Sequence, residues 1–151
     1  MSKAACEMSL RTFHRAYGFP VVFTRAANVY GPGQRNRIIP LALQHRKAGT
    51  PLKLQGGGAS RRSFVHVHDV AAATRLVAVD GKPGEAYHIS TPVLHSIREV
   101  VRIVGCDTVE APARMAQDYV YALRTDKLRA LGWTDTVSLE KGIEEMEPAW
   151  A

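Results

Sequence analysis

A loop rich in Gly, Pro and Asn follows a short apolar run in the first third of the chain. The run, residues 20–24, is typical of a strand covered on both faces in a parallel sheet, and the loop occupies residues 25–37. Ligands of open parallel sheets bind just beyond such strand ends. Asn28 in this loop can both donate and accept hydrogen bonds, which suits a sugar hydroxyl or a phosphate oxygen. The sequence therefore predicts a ligand site here, with a simple turn as the alternative role for Asn28.

Two histidines two residues apart are the other candidates for chemistry. His66 and His68 fall in or beside an alternating run, residues 63–67, that is typical of a strand. Side chains two apart in a strand point to the same face, and two imidazoles with a third ligand can hold zinc. The sequence places no carboxylate or thiol to complete such a set, so we predict no metal site.

Charge is distributed unevenly along the chain. The net charge is +6, but residues 1–68 contain 11 Lys or Arg against the single acid Glu7, and residues 69–151 contain 9 against 13 acids. A basic half of this kind suits nucleic acid, a diphosphate ligand or a merely solvated surface. The basic residues are scattered singly, without a helix-turn-helix, zinc-finger or aromatic RNA-binding signature. We therefore predict no nucleic-acid partner.

The composition is that of an ordinary folded domain. Of the 151 residues, 46% are hydrophobic and 23% are charged, which argues against a disordered chain. No apolar run approaches the roughly 20 residues of a membrane-spanning helix, and the first residues show neither an apolar signal core nor an Arg-rich transit peptide. We therefore predict no membrane partner and a cytoplasmic location. Cys6 and Cys106 lie far apart, so we predict two buried thiols and no disulfide.

Helical and strand patterns alternate along the chain. Apolar residues three to four apart, including Phe13 and Tyr17, form one face of a predicted first helix. Asp69 is predicted to cap the helix after the strand that contains the histidines, and Ser96 with Glu99 forms the capping-box pattern of a later helix. The order predicts an α/β fold in a single unit, residues 1–151: helix 3–17, strand 20–24, helix 38–47, strands 51–55 and 63–67, a helix from 69, strand 85–90, and helices from 96, 125 and 139.

Several segments together resemble a known enzyme family. The segments are residues 2–7, 24–34, 62–71, 84–89 and 131–133, and they occur in the same order and at similar spacing in NAD-dependent sugar-nucleotide epimerases and dehydratases. These enzymes are extended short-chain dehydrogenase/reductases. The chain looks most like their dTDP-glucose 4,6-dehydratase branch, and the resemblance covers essentially its whole length.

The resemblance implies a fold and an expectation about completeness. The chain would be the C-terminal part of an NAD(P)-binding Rossmann-like fold, interleaved with the small lobe that binds the sugar nucleotide. The N-terminal Gly-rich dinucleotide turn, G-x-G-x-x-G, does not occur in this sequence. The family's catalytic Tyr-x-x-x-Lys pair is matched only at Lys3, which puts the Tyr before Met1. We therefore expect the chain alone to be inactive, and the alternative is a non-catalytic sugar-nucleotide-binding or subunit-completing module.

The resemblance also implies an activity and its partners. The activity is NAD-dependent dehydration or epimerisation of a nucleotide-activated hexose through transient oxidation at C4. NAD is the implied cofactor and a nucleotide sugar the implied substrate. Family dimers pair partly through the helix that carries the Lys, so the expected protein partner is a second copy or an N-terminal subunit. The family has no metal at the positions of the two histidines.

Individual residues match the family's site positions. Lys3 matches the Lys that contacts the cofactor ribose and lowers the pKa of the catalytic Tyr phenol. Ala26 and Val29 match positions beside the nicotinamide. Arg62 matches the Arg on the diphosphate, and the adjacent Arg61 leaves that assignment open by one position. The residues matched to sugar-nucleotide contacts are Asn28, Arg37, Ile38, Lys53, Gln55, Arg62, Arg114 and Asp118.

Overall fold

The computed structural model describes residues 2–115 and 118–149. Helices and strands alternate along this part of the chain, which confirms the α/β class. None of the helices described there is both long enough and apolar enough to cross a membrane. The helices are α1 (Ser2–Tyr17), α2 (Ile38–Lys47), α3 (Val67–Asp80), α4 (Ile97–Val104), α5 (Asp126–Arg129) and α6 (Leu139–Met146), with 3-10 turns at Gly56–Gly58 and Glu147–Ala149. The strands are β1 (Phe23–Ala26), β2 (Asn28–Tyr30), β3 (Leu52–Gln55), β4 (Arg61–Arg62), β5 (Phe64–His66), β6 (Ala86–Ile89), β7 (His95–Ser96), β8 (Thr108–Ala111) and β9 (Val120–Tyr121).

The strands form small sheets that are mostly parallel. β1 pairs with β6, β2 with β5 and β3 with β8, all in parallel, and β4 lies between antiparallel β7 and parallel β9. The strand with which the backbone pairs changes within one residue between β1 and β2. The Ala27 amide donates to the Ile89 carbonyl at 2.9 Å, and the Asn28 amide donates to the Ser63 carbonyl at 3.3 Å. The backbone therefore leaves β6 for β5 at Asn28, and the stretch predicted as loop contains strand β2.

Two apolar clusters hold the strands to the helices. The first packs α2, α4 and α6 together and includes Leu43 and Val101. The second packs α3 and α5 against β6 and includes Trp133. Phe64 and Val65 are adjacent in β5 and belong to different clusters, because successive side chains of a strand point to opposite faces. Full burial of each such side chain contributes about 1.5–3 kcal/mol.

The two capping predictions have opposite outcomes. The Ser96 capping box is confirmed, because the Glu99 amide donates to Ser96 Oγ at 3.1 Å and the Ser96 amide donates to Glu99 Oε2 at 2.7 Å. The Asp69 cap is wrong, since α3 begins at Val67, with His66 in the cap position and Asp69 in the first turn. The Asp69 carboxylate is buried and accepts instead from the backbone of residues 136 and 137.

Helix α1 lies at the surface, and none of its residues is fully buried. Its predicted apolar face is open to solvent, with Phe13 54% and Tyr17 79% exposed. Cys6 on the same helix is exposed, so the prediction of a buried thiol is wrong there and confirmed for Cys106. A contiguous apolar surface of this kind is typical of an interaction site.

Polar contacts attach α1 to the neighbouring strands. Glu7 forms ion pairs with Arg11 at 2.9 Å and with Arg25 of β1, and Arg11 also donates to the Gly84 carbonyl at 2.9 Å. The hydrogen bond from Arg25, assisted by Arg11 and opposed by burial, lowers the pKa of Glu7. A carboxylate with a lowered pKa stabilises the folded state above its unfolded pKa, and this stabilisation is lost as the pH falls through the lowered value.

Replacing Glu7 by Gln is expected to loosen α1 by about 1 kcal/mol at pH 7, because both ion pairs are lost. Amide hydrogen exchange should show protection factors in α1 reduced about fivefold relative to the wild type. The wild type should lose the same protection only in acid, below the ordinary carboxyl pKa. Glu144→Gln, an exposed change in α6, is the control. Equal protection of α1 in wild type and Glu7→Gln would contradict this account.

Candidate functional site

The divergence of β1 and β2 opens a cleft of about 400 Å³. It lies just beyond the end of β1, where the sequence predicted a ligand site. Residues of β2, of the following loop and of the start of α2 line it. The lining residues are Ala27, Asn28, Val29, Tyr30, Gln34, Arg37, Ile38, Ile39 and Phe64.

A hydrogen bond orients Asn28 in this cleft. Its Nδ2 donates to the Ser63 carbonyl at 3.1 Å, so both the backbone and the side chain of Asn28 are attached to the segment that enters β5. Asn28 begins strand β2, and the simple-turn alternative is therefore wrong. Its Oδ1 forms no hydrogen bond with the described residues and can accept one from a ligand.

The loop after β2 is folded back on the strand by Gln34 and Gly31. Gln34 Nε2 donates to the Val29 carbonyl at 2.7 Å. A Cβ atom on Gly31 would lie 2.5 Å from Val67 Cγ1 and 3.3 Å from His66 Nε2, so only glycine allows this close approach without movement of the neighbours. The compact loop brings the start of α2 to the cleft.

Two further hollows continue the cleft. One, of about 280 Å³, shares Ile38 with the cleft and includes Lys53. The other, of about 220 Å³, shares Gln55 and Arg114 with the first hollow and includes Asp118. We call the cleft and the two hollows the polar groove. Eight predicted site residues line it: Asn28, Val29, Arg37, Ile38, Lys53, Gln55, Arg114 and Asp118.

The polar groove is positively charged. Arg37, Lys53 and Arg114 are exposed, and none of them forms an ion pair with a carboxylate in the described part of the chain. Asp118 is the one acidic residue among the groove's described lining residues. Three unneutralised cations beside a hydrogen-bonding Asn favour a ligand that carries several negative charges.

Arg62 lies beside the polar groove but does not line it. Its guanidinium donates to the carbonyls of Asp118 at 2.7 Å and Tyr119 at 3.5 Å, so it supports the segment that ends the groove. Arg61 points elsewhere and donates to the Leu94 carbonyl at 3.0 Å. Of the two adjacent arginines, Arg62 is the one whose side chain contacts the segment that lines the groove, whereas Arg61 reaches Tyr119 only through its backbone amide.

Lys3 and Ala26 are separate from the groove lining. Ala26 is the last residue of β1, and the ion pair between Glu7 and Arg25 attaches the first half of α1 beside that strand end. Lys3 precedes Glu7 by four residues and therefore lies on the same helix face, one turn nearer the helix start. The predicted site residues thus divide between the groove and the carboxyl edge of β1.

Sequence reasoning missed a cluster next to the cleft. His66 ends β5, and His68 lies in the first turn of α3 and not on a strand as predicted. Glu145 of α6 joins them, and one potential ligand atom from each of the three residues lies within 4.8 Å of the others. The carboxylate that the sequence did not place is thus supplied by a distant helix, and no spacing pattern pointed to it.

Burial shifts the pKa values of two rings beside the cleft. Burial, with added repulsion from Asp69, Glu140 and Glu145, raises the pKa of Tyr30 far above its usual range. Tyr30 is therefore a neutral donor, and its hydroxyl donates to the Ser138 carbonyl at 3.1 Å. Burial also lowers the pKa of His66, which is consequently a neutral imidazole at pH 7.

Comparison with known families adds to this geometry. The model of the NAD dependent epimerase/dehydratase family matches residues 1–90. These residues include α1, the strands β1 and β2 beside the cleft, and the two histidines of the cluster, His66 and His68. The chain belongs to this family. The membership inferred from the sequence segments is therefore confirmed.

Two curated dehydratases are similar over most of the chain. The dTDP-D-glucose 4,6-dehydratase of Mus musculus is 32% identical over an alignment of 158 positions, gaps included, that covers 95% of this chain and 44% of the mouse protein. The dTDP-glucose 4,6-dehydratase of Streptomyces niveus is 34% identical over an alignment of 153 positions, gaps included, that covers 95% of this chain and 46% of that protein. The family member therefore spans less than half the length of these relatives.

Solved structures show the same relation. DesIV, a dTDP-glucose 4,6-dehydratase from Streptomyces venezuelae crystallised with NAD, matches with a TM-score of 0.89 and 34% identity over 99% of this chain and 49% of its own. A UDP-glucose 4-epimerase of Thermotoga maritima with UDP-glucose matches with a TM-score of 0.85 and 29% identity over 97% of this chain and 50% of its own. The family member therefore has part of the Rossmann-like fold of extended short-chain dehydrogenase/reductases, matching about half of each of these chains.

Proposed function

We propose that this chain forms the sugar-nucleotide-binding part of an NAD-dependent dehydratase or epimerase that transiently oxidises a nucleotide-activated hexose at C4. The similar dehydratases and the similar epimerase are named for nucleotide-activated glucose substrates. The observation that carries the proposal is the polar groove with its three unneutralised cations. A nucleoside diphosphate sugar supplies the complementary chemistry, with two anionic phosphates flanked by hydrogen-bonding rings.

The positions along the groove suggest how such a ligand lies. Asn28, with a free carbonyl oxygen, would accept a hydrogen bond from a sugar hydroxyl at the cleft end. Arg37 and Arg114 would neutralise the diphosphate, and Arg62 would hold the Asp118 segment in register with it. Asp118 would accept from the ribose hydroxyls. By binding and orienting the substrate, these side chains would hold the sugar C4 in a fixed position relative to the hydride acceptor, which favours the hydride transfer.

The cofactor assignment concerns the carboxyl edge of β1. NAD, when bound, accepts the hydride from the sugar. Ala26 is small and exposed, Val29 lies three residues further on in the cleft, and Lys3 lies on the adjoining helix, an arrangement that fits the nicotinamide ribose end of the cofactor. Lys3 would donate to the ribose hydroxyls and, as an ammonium, favour the ionised form of a neighbouring phenol base. The residues for the cofactor pyrophosphate are expected on a Gly-rich turn, which this sequence does not contain.

Two features support association with a further protein segment. The apolar face of α1 is exposed, and β1 pairs on one side only, with β6, among the described strands. A parallel strand with an open edge and a helix with an open apolar face together fit the dinucleotide-binding half of the same fold, supplied by an N-terminal partner, or the helix face of a second copy. We expect hydride transfer only in such a complete assembly. The alternative function is a non-catalytic sugar-nucleotide-binding or subunit-completing module, which would bind substrate equally well and never turn it over.

Isothermal titration tests the binding function. The purified chain is titrated separately with dTDP-glucose, UDP-glucose and NAD at moderate salt. We expect one or both sugar nucleotides to bind and NAD to bind much more weakly, because most residues matched to sugar-nucleotide contacts line the groove, whereas the sequence contains no Gly-rich turn for the NAD pyrophosphate. Arg62→Ala should weaken sugar-nucleotide binding by about 1.5–3 kcal/mol, or roughly 10- to 150-fold, because the end of the groove loses its support.

Variants of two other arginines serve as controls for the loss of affinity expected in Arg62→Ala. Arg75→Ala removes an exposed cation from α3 outside the groove and should leave affinity within about twofold. Arg61→Ala should also have little effect, and a larger loss in Arg61→Ala than in Arg62→Ala would reassign the role by one position. A folded chain that binds neither sugar nucleotide would overturn the proposed function.

A further inference from the structure

The cluster beside the cleft has the composition of a metal site. We propose that His66, His68 and Glu145 bind a divalent transition-metal ion of the zinc type, with water in the remaining position. Two imidazoles and one carboxylate are a known ligand set for zinc, and a site of three protein ligands keeps one position open. The proposal is independent of the substrate assigned to the polar groove.

The buried histidine is the strongest reason for the proposal. The His66 side chain has 0% of its surface exposed, and neither of its ring nitrogens has a hydrogen-bond partner among the residues that the structure describes. A buried polar group without a partner costs about 1–3 kcal/mol, so native proteins rarely retain one without a reason.

The distances suit a shared ion. His66 Nε2 lies 3.5 Å from Glu145 Oε2, too long for a strong hydrogen bond and close to the separation of about 3.4 Å between two ligands each about 2.0–2.1 Å from a tetrahedral zinc ion. The rings of His66 and His68 are 4.8 Å apart and nearly perpendicular. All three ligand atoms fall within 4.8 Å, and rotation of the two exposed side chains closes the remaining gap.

Access and surroundings also favour a cation. His68 and Glu145 are exposed, so an ion can reach the site from solvent while His66 forms its inner side. A Cβ on Gly31 would lie 3.3 Å from His66 Nε2, so glycine at this position keeps a further side chain away from that ring nitrogen. A bound ion would link the end of β5, the start of α3 and α6, next to Tyr30, whose ring is 5.3 Å from His66 and lines the cleft. Its role would therefore be to stabilise this side of the cleft.

Metal titration of the metal-free chain tests the proposal. Zinc is titrated calorimetrically, cobalt(II) is titrated with detection of its visible absorption, and magnesium serves as the hard-cation comparison. We expect one zinc or cobalt ion per chain, a raised unfolding temperature with zinc, and no effect of magnesium. His68→Ala and Glu145→Gln each remove an exposed ligand without disturbing the core and should weaken binding by about 100-fold or more.

Control variants separate this site from adventitious binding. Glu144→Gln changes the adjacent exposed carboxylate of α6, and His45→Ala removes a histidine of α2 outside the cluster, and both should bind zinc like the wild type. Circular dichroism establishes that every variant is folded. Zinc affinity that is unchanged in His68→Ala and Glu145→Gln, or a wild type that takes up no zinc, would overturn the proposal, and the buried His66 would then be an unpaired core residue.

Discussion

Replacing Asp69 by Ala is expected to destabilise the chain by about 3–5 kcal/mol. The buried carboxylate accepts from the Thr136 amide at 3.1 Å, from Thr136 Oγ1 at 2.7 Å and from the Val137 amide at 3.1 Å. These bonds attach the segment after Trp133 to the first turn of α3, and the Trp133 indole adds a bond to the Asp69 carbonyl at 3.1 Å. Removing the acceptor leaves several donors without a partner, and each unsatisfied donor costs about 1–3 kcal/mol.

Urea unfolding followed by circular dichroism measures this effect. Asp69→Asn keeps one acceptor oxygen and introduces a donor that faces other donors, so its loss should be intermediate. Asp80→Ala, at the exposed end of the same helix, is the control and should change stability by less than about 0.5 kcal/mol. A loss below about 1 kcal/mol in Asp69→Ala would mean that the segment after Trp133 is held by apolar packing alone.

Replacing Gly142 by Ala should destabilise the chain by about 3 kcal/mol although alanine favours helices. A Cβ at this position of α6 would lie 2.7 Å from Cε2 and 2.8 Å from Cζ of Tyr30. Tyr30 is only 2% exposed and its hydroxyl is hydrogen-bonded to Ser138, so the ring cannot move aside without disturbing the core. The gain in helix propensity, about 1 kcal/mol, offsets part of this overpacking.

A double-mutant cycle isolates the contact between the two residues. In a Tyr30→Leu background, the smaller side chain leaves space for the new methyl group, and the Gly142→Ala penalty should fall below about 1 kcal/mol. Glu144→Ala, on the exposed side of the same helix, measures the effect of alanine without a clash. An equal Gly142→Ala penalty in both backgrounds would show that Tyr30 is not the obstacle. Since Tyr30 lines the cleft, sugar-nucleotide binding should weaken in Gly142→Ala as well.

Local patterns were sufficient for features whose partners are close in sequence. The Ser96 capping box was predictable because both of its members lie within four residues. The strands β3, β5 and β6 were predictable from the local sequence pattern, with ends that differ by at most one residue. The strand predicted at 20–24 begins three residues later, and β2 was missed because its three residues are too short for a periodic signal.

Other features depend on contacts between distant segments. The partners of Asp69 lie 67 and 68 residues further along the chain, so its side chain could be mistaken for a local cap. The exposure of α1 was equally hidden, because its apolar spacing is that of a helix packed against a core. Glu145 has no periodic or motif relation to the histidines and meets them only because α6 packs beside β5.

By itself the sequence determined the α/β class, the family and the set of cations and polar residues from which a diphosphate site could be built. These properties follow from residue types and from spacings of a few residues, and neither depends on how the helices and strands pack. Only the tertiary structure decided that eight of the predicted site residues line one groove and that Arg62 supports it from outside. It also decided that His66 is buried beside His68 and Glu145 with no hydrogen bond to any described residue. The physical reason is that burial and charge pairing are set by the packing of elements far apart in the chain, which no local pattern records.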